Sequence, residues 1–154
     1  MAKIYLLSNQ IYTEVENLEV FKIEYIESKI DLLKYDALIF TSKNAVYSLE
    51  SFNKDWKKIP SFAIAPKTAQ VIEKLGGKIA FTGITSHGND FAQELIALLK
   101  NKKVLYIKAL KTVSNLVDIL KNNDVLLDEL VVYKTSCKKS NVALENNSVF
   151  IFTS

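Results

Sequence analysis

The sequence has little cysteine, histidine, glycine or proline, and each shortage excludes a class of protein. Its 154 residues contain one cysteine, Cys137, and one histidine, His87. No disulfide framework can therefore form within the chain, and a zinc site with the usual ligands is not expected. Four glycines and two prolines argue against disordered or low-complexity segments. The sequence also lacks a GxGxxG loop and a GxxxxGKS/T loop, so no nucleotide cofactor is predicted.

Charge and hydropathy are those of an ordinary globular protein. The net charge is +3 and the lysines are spread along the chain, so no nucleic-acid surface is predicted. No apolar run approaches the ~18 residues that a membrane helix needs. The N-terminus lacks the long apolar core and the cleavage site of a signal peptide. We therefore expect a cytoplasmic protein that binds neither nucleic acid nor membrane.

From Asp36 onward, short apolar runs alternate with amphipathic helical patterns. The runs predict strands at residues 37–40, 61–65, 78–81, 103–107 and from 125 or 130 to 135. The four helices between them are predicted to begin at Ser42 as N-cap, at Pro66 in a first turn, at Asp90 and at Thr112. Strands joined through helices pair in parallel with right-handed crossovers. The predicted fold class is therefore α/β, with a flavodoxin-like, doubly wound, five-stranded parallel sheet.

Hydroxyl groups and lysines follow the carboxyl ends of the predicted strands, where open parallel sheets bind ligands. Each of these segments leads into a helix N-terminus, whose free N–H groups and partial positive charge favour anions. The sequence therefore predicts a site for an anion, especially one with several carboxylates. The residues concerned are Thr41, Ser42, Lys43, Lys67, Thr68, Lys108, Lys111 and Thr112. The alternative is that Ser42 and Thr112 only cap helices and that the lysines are solvated.

The tetrapeptide IFTS occurs twice, at residues 39–42 and 151–154. Both copies follow a short apolar run, so we interpret them as a strand–loop–helix motif that occurs twice. Thr153 and Ser154 then correspond to Thr41 and Ser42. Three other residues have simple structural interpretations. His87 is predicted to be a surface loop residue, and Trp56 is predicted to cover the edge of the sheet lobe. Tyr133, in the last strand, is most simply a half-buried residue that packs against its neighbours.

The ordered motifs resemble the uroporphyrinogen-III synthase family. The family's aspartate, apolar strand with FTS, and AV helix start correspond to residues 36, 38–42 and 45–46. Its GxxTA helix start corresponds to residues 65–69, with Ala65 in place of the glycine. Its VLY strand, its VYxT strand and its second FTS correspond to residues 104–106, 132–135 and 152–154. Each motif is weak alone, but the ordered set is fairly specific and spans the chain.

The resemblance implies two α/β lobes that are joined by a two-stranded linker. The second lobe is inserted into the first, which is built from both chain ends. Mapped here, the complete inserted lobe is residues 29–132, the partial first lobe is residues 1–21 and 139–154, and the linker is residues 22–28 and 131–138. Family members continue past the second FTS, so the resemblance also implies a chain truncated at its C-terminus, whose activity is an open question.

The resemblance further implies a lyase of tetrapyrrole and heme biosynthesis that acts as a monomer without metal or organic cofactor. It would cyclise hydroxymethylbilane to uroporphyrinogen III, with inversion of the D ring and loss of water. Tyr133 would then assist departure of the hydroxyl, and the strand-end segments, with Thr153 and Ser154, would hold the substrate's carboxylates. The alternative function is a non-enzymatic, cytoplasmic α/β domain that binds a small anion.

Overall fold

The computed structural model describes residues 4–7, 16–17, 21–137 and 149–152, with side chains from residue 22 to residue 136. These residues divide into two compact units. One is Tyr25–Lys134, and the other is the described part of Met1–Glu24 and Thr135–Ser154. Among the described residues, no helix is both long and apolar enough to span a membrane. The lobe and linker boundaries that the resemblance implies stay predictions.

The elements follow one another as a β-rich start, an alternating β/α region and a final strand. In chain order they are β1 (Ile4–Leu7), β2 (Glu16–Asn17), β3 (Phe21–Tyr25), β4 (Ala37–Phe40), α1 (Lys43–Phe52), β5 (Pro60–Ala63), α2 (Pro66–Lys74), β6 (Lys78–Thr82), α3 (Gly88–Leu99), β7 (Lys103–Ala109), α4 (Leu116–Lys121), β8 (Leu126–Cys137) and β9 (Val149–Phe152). Short 3₁₀ turns at Leu32–Lys34 and Asp55–Lys58 precede β4 and β5.

The smaller unit contains a three-stranded sheet in the order β2-β1-β9. Strand β1 pairs in parallel with both neighbours, and Leu7 lies opposite Phe152. Strand β9 therefore confirms the prediction that the second apolar run, which includes Ile151 and Phe152, forms a strand. Thr153 and Ser154 lie outside the described residues.

The larger sheet has six strands in the order β3-β8-β7-β4-β5-β6. The pairings among β4 to β8 are all parallel, which confirms the predicted doubly wound sheet. Strand β4 occupies the middle because all four of its residues are apolar and buried on both faces. Counted from β4, the strand order is 3-2-1-4-5, and β3 adds a sixth strand beside β8.

The core of the larger unit fills both faces of this sheet. On one face, Phe91 and Leu95 of α3 and Leu116 of α4 pack with inward residues of the strands such as Ile39. Elsewhere in the core, the fully buried Trp56 meets Phe40 edge to face at 5.9 Å between ring centroids. The prediction that Trp56 covers the edge of the lobe is therefore wrong. Its indole N–H donates to a Glu50 oxygen at 2.8 Å, so this polar atom can be buried at little cost.

Two of the predicted helix starts are confirmed and two are wrong. Ser42 caps α1 by accepting from the backbone N–H of Ala45 at 3.2 Å, and Pro66 occupies the first turn of α2. Helix α3 starts at Gly88, and Asp90 accepts from the Thr85 hydroxyl instead of capping.

Helix α4 starts only at Leu116, so Thr112 lies in an exposed loop and caps nothing. Two contacts hold this loop, residues 110–115, against the start of α3. The N–H of Asn115 donates to the Asn89 side chain at 2.9 Å, and Ser114 packs directly on Gly88. These contacts hold the end of the loop beside α3, and the first turn of α4 begins only after them, at Leu116.

Candidate functional site

A cavity of about 230 Å³ opens beside the carboxyl ends of β4 and β7. The strand order of the larger sheet reverses between these two strands, and doubly wound sheets bind ligands at that position. The cavity lies wholly within the Tyr25–Lys134 unit. Its lining consists of Thr41, Ser42, Ile64, Gly88, Tyr106, Ala109, Lys111, Thr112, Val113, Ser114 and Tyr133.

Two hydroxyl pairs stand side by side at this cavity. Thr41 Oγ1 lies 2.8 Å from Tyr106 Oη, and Ser42 Oγ lies 2.8 Å from Tyr133 Oη. In each pair either oxygen can donate. The pairs are adjacent because Thr41 and Ser42 are consecutive residues after β4, whereas the tyrosines come from β7 and β8. Four hydroxyl groups from three parallel strands are thereby brought to one edge of the sheet.

The register of the strands explains how Tyr133 reaches this edge. Strand β8 continues to Cys137, but an irregularity between Lys108 and Ala109 of β7 shifts the pairing. Tyr133 therefore lies opposite Ala109, the last residue of β7. Next to it, the N–H of Leu110 donates to the Tyr133 carbonyl at 2.9 Å, which ties the loop after β7 to β8.

Tyr106 is a cavity residue that the sequence analysis did not single out. Its side chain is 2% exposed, yet its hydroxyl reaches the cavity lining. Burial raises the pKa of Tyr106, and the nearby Tyr133 and Glu129 act in the same direction, whereas the bond with Thr41 partly opposes the shift. Tyr106 is therefore a neutral phenol at physiological pH. The only signal in the sequence was its position in a VLY strand that ends at the predicted site.

The predicted lysines do not all meet at the cavity. Lys111 lines it and is exposed. The Lys108 ammonium donates to Glu129 Oε1 at 2.8 Å, with its side chain only 13% exposed. Lys43 and Lys67 lie exposed in the first turns of α1 and α2, away from the cavity lining. Lys108 is therefore held in an ion pair rather than open to a ligand.

The predicted hydroxyls divide in the same way. Thr41, Ser42, Thr112 and Tyr133 line the cavity, whereas Thr68 is buried in the first turn of α2 and does not. Thr153 and Ser154 lie outside the described residues. His87 is exposed, as predicted, just before α3. Within the part of the chain that the structure describes, no group of three or more His, Cys, Asp or Glu residues could hold a metal ion.

A larger, open groove of about 550 Å³ lies at the opposite edge of the sheet, along Val125 to Asp128. Its two lysines have partners elsewhere. Lys103 lies 5.4 Å above the Tyr35 ring, and Lys121 lies 4.0 Å from a Glu129 oxygen. The smaller cavity combines hydroxyl donors with the ammonium of Lys111, so it is the better site for an oxygen-rich anion.

The fold and this cavity define an α/β protein with hydroxyl groups and an ammonium group beside β4 and β7, where the strand order of its doubly wound sheet reverses. The sequence profile of uroporphyrinogen-III synthase HemD matches residues 15–154, and the chain belongs to this family. The prediction from the ordered motifs is therefore confirmed, and with it the enzyme class that the family name states. None of the curated proteins compared with the chain matches it.

Solved structures agree with the family in fold. The chain is similar to the uroporphyrinogen-III synthetase of Helicobacter pylori, with a TM-score of 0.78 and 24% identity over 99% of this chain and 84% of that one. For a mutant uroporphyrinogen III synthase of Thermus thermophilus, the TM-score is 0.61 and the identity is 12%, over 90% of this chain and 64% of that one. For the wild-type Thermus enzyme, the TM-score is 0.54 and the identity is 13%, over 90% of this chain and 63% of that one.

Proposed function

We propose that the chain catalyses the cyclisation of hydroxymethylbilane to uroporphyrinogen III, with inversion of the D ring and loss of water. Membership of the synthase family supports this reaction and a small-molecule tetrapyrrole substrate. The observation that supports a particular site is the Ser42–Tyr133 hydroxyl pair. This pair lines the cavity between β4 and β7, where the strand order reverses. Tyr133 is the residue that we propose as catalytic.

In the proposed reaction the C–O bond of the hydroxymethyl group breaks, and the hydroxyl leaves as water with a proton supplied to its oxygen. An electron-rich pyrrole expels this hydroxyl readily, so the step needs a hydrogen-bond donor more than a strong acid. The phenol of Tyr133 is such a donor, and Ser42 fixes its position at 2.8 Å. Inversion requires the resulting cation to form its C–C bond at the D-ring α-carbon that already carries the bridge to the C ring. That bridge bond then breaks and re-forms at the other α-carbon of the D ring, which loses a proton. Holding the D ring so that its substituted carbon is attacked is a task of positioning.

The substrate's carboxylates require donors beyond this pair. Lys111 and Thr112, in the loop after β7, and the hydroxyl of Thr41 are the groups of the cavity that we propose for them. Among the other predicted residues, Lys43, Lys67 and Thr68 stand at the starts of α1 and α2, where backbone N–H groups favour anions. Together with Thr153 and Ser154, they remain proposed substrate contacts, whereas Lys108 would have to leave its ion pair with Glu129 to become one.

We further propose that the protein is a cytoplasmic monomer that uses no metal or organic cofactor and binds neither nucleic acid nor membrane. The test of the function is direct. Freshly prepared hydroxymethylbilane is incubated with the purified chain, and the uroporphyrinogen isomers are separated after oxidation. A reaction without protein gives the background of isomer I. We expect isomer III in proportion to the protein added; isomer I alone would contradict the proposed function and favour an anion-binding domain.

A further inference from the structure

Tyr106 lines the cavity with a hydroxyl group to which the proposed reaction assigns no role. It is 2% exposed and belongs to the core cluster under α3 and α4, but its hydroxyl points to Thr41 at the cavity lining. A phenylalanine would fill the same space in the core. Core packing therefore does not explain why this residue has a hydroxyl group, whereas its 2.8 Å hydrogen bond with Thr41 does.

The ring of Tyr106 is held from several sides, so its hydroxyl has little freedom. Glu129 lies opposite Tyr106 in the register of β7 and β8, and Lys108 bridges back to Glu129 at 2.8 Å. The Lys108 ammonium also lies 5.8 Å from the centre of the Tyr106 ring, within reach of a cation–π interaction. A fixed phenol is a good anchor because the partner hydroxyl loses its rotational freedom before a ligand arrives.

The hydroxyl of Thr41 is the group whose orientation the Tyr106 hydroxyl fixes. Thr41 directly precedes Ser42, whose hydroxyl pairs with Tyr133. A threonine hydroxyl has one hydrogen and two acceptor positions, so the bond with Tyr106 leaves further capacity to bond an oxygen of a ligand. Without Tyr106, the Thr41 hydroxyl could rotate away from the cavity or bond to solvent.

We propose that Tyr106 is a positioning residue: its hydroxyl fixes that of Thr41, so that Thr41 presents its remaining hydrogen-bonding capacity to a substrate oxygen beside Tyr133. This inference rests on the proposed function, because it assigns a role within the same site. A merely structural Tyr106 hydroxyl would contribute to stability and would leave substrate turnover unchanged.

A double-mutant cycle tests the proposal. Tyr106→Phe removes only the phenolic oxygen, and Thr41→Val removes only the hydroxyl of its partner. We expect each single variant to lower kcat/KM by about three- to tenfold, the contribution of one neutral hydrogen bond. The double variant should lose no more than the larger single loss, because both changes remove the same interaction. Losses that multiply, or an unchanged kcat/KM in Tyr106→Phe, would overturn the proposal.

The matched control is Tyr35→Phe. Tyr35 is also a buried tyrosine with a hydrogen bond, at 2.7 Å to Asp128, but it precedes β4 and so lies at the opposite edge of the sheet. We expect Tyr35→Phe to lower the Tm and to leave kcat/KM unchanged. An equal loss of kcat/KM in Tyr35→Phe and Tyr106→Phe would mean that lost stability, and not positioning, causes both.

A second readout separates this inference from the proposed function. Binding of uroporphyrin III, a stable octacarboxylate, is titrated for the wild type and for the same variants by tryptophan fluorescence. If the wild type forms only isomer I, the proposed function fails, and the coupling of Thr41 and Tyr106 is judged on the dissociation constants alone. Non-additive losses of affinity support the positioning role. Independent losses, or a wild type that neither turns over nor binds, overturn it.

Discussion

Tyr133 Oη lies 2.8 Å from Ser42 Oγ, although 91 residues separate them in the chain. Ser42 also caps α1, because its Oγ accepts from the N–H of Ala45 at 3.2 Å. One serine hydroxyl thus serves the helix and the cavity at once. When Ser42 gives its own hydrogen to Tyr133, the phenolic hydrogen is free to point to a ligand. The two interpretations of Ser42, as a helix cap and as a site residue, are therefore compatible.

The first prediction concerns the catalytic role of this pair. Tyr133→Phe keeps the ring that packs beside Ser42 and removes the donor. We expect kcat to fall by about ten- to a hundredfold without abolishing turnover, at or below the low end of general acid catalysis because the hydroxyl leaves readily. The rate is measured as formation of isomer III from fresh hydroxymethylbilane. Tyr47→Phe is a suitable control, because Tyr47 lies on α1 outside the cavity lining.

Two outcomes would contradict this prediction in different ways. Complete loss of activity in a folded Tyr133→Phe protein would mean that catalysis depends on proton transfer more than on positioning of the substrate. Unchanged kinetics would remove Tyr133 from the site. Thermal unfolding of the variant decides whether it is folded, since Tyr133 is 8% exposed and loses a part-buried hydrogen bond with Ser42.

The second prediction concerns the loop of residues 110–115, which carries Lys111 and Thr112. A Cβ at Gly88 would stand 2.4 Å from Ser114 Cβ and 2.6 Å from its Oγ, so Gly88→Ala has to displace the loop. We expect a loss of about 1–3 kcal/mol in the free energy of unfolding. We also expect a higher KM, because Lys111 and Thr112 move with the loop. Steady-state kinetics and urea unfolding measure the two effects.

Gly76→Ala is the matched control for this prediction. Gly76 has φ +89°, where alanine is strained by about 1 kcal/mol, but a Cβ there meets nothing closer than Lys57 Cδ at 4.0 Å. We expect lower stability with an unchanged KM. If Gly88→Ala also leaves KM unchanged, the position of the loop does not matter for substrate binding.

The sequence predicted the fold well because the β/α alternation is a local property. Strands β4 to β7 are short runs followed by helical patterns, and Ser42 and Pro66 are local signals at helix starts. The strand order 3-2-1-4-5 is different, since it depends on which strand edges meet after the helices pack on the sheet. Nothing between residues 36 and 135 specifies that order locally.

The candidate site was predicted only in part, for a similar reason. Thr41, Ser42 and Tyr133 come from recognisable motifs, but their pairing depends on the register of β7 and β8. Lys108 looked like an open cation at a strand end, yet Glu129 of the next strand binds it. Thr112 looked like a helix cap, but contacts from α3 decide where α4 begins. Such nonlocal partners leave no signal within a single motif.

The third prediction uses two fully buried serines that differ in their hydrogen bonds. Ser48 Oγ donates to the carbonyl of Val132, whereas Ser61 Oγ has no hydrogen-bond partner among the residues that the structure describes. Ser61→Ala removes an unsatisfied polar group, so we expect the free energy of unfolding to rise by about 0.5–1 kcal/mol. Ser48→Ala leaves the carbonyl of Val132 with one partner fewer, so we expect the free energy of unfolding to fall by about 1 kcal/mol. Urea unfolding of both variants checks the opposite signs, and two losses of similar size would contradict the assignment.

The fourth prediction concerns the pH dependence of stability. Burial, followed by the hydrogen bond and negative charge of Asp128, raises the pKa of Tyr35 from 10 to about 12. The folded protein therefore keeps this proton at a pH where the unfolded chain has lost it. The contribution of Tyr35 is complete below pH 10 and is lost as the pH rises towards 12. We expect a loss of about 1–2 kcal/mol over this interval, reduced by the solvent exposure of Asp128.

Tyr35→Phe isolates this effect from the other groups that titrate in alkali. The variant lacks the ionisable phenol, so its free energy of unfolding should fall less steeply between pH 10 and 12 than that of the wild type. Asp128→Asn should lie between them, because it removes the charge that opposes ionisation and keeps Tyr35 buried. Chemical unfolding at closely spaced pH values measures the slopes. Parallel curves for the wild type and Tyr35→Phe would show that the folded and unfolded states ionise Tyr35 alike, and that the Tyr35–Asp128 bond does not hold the proton in the folded protein.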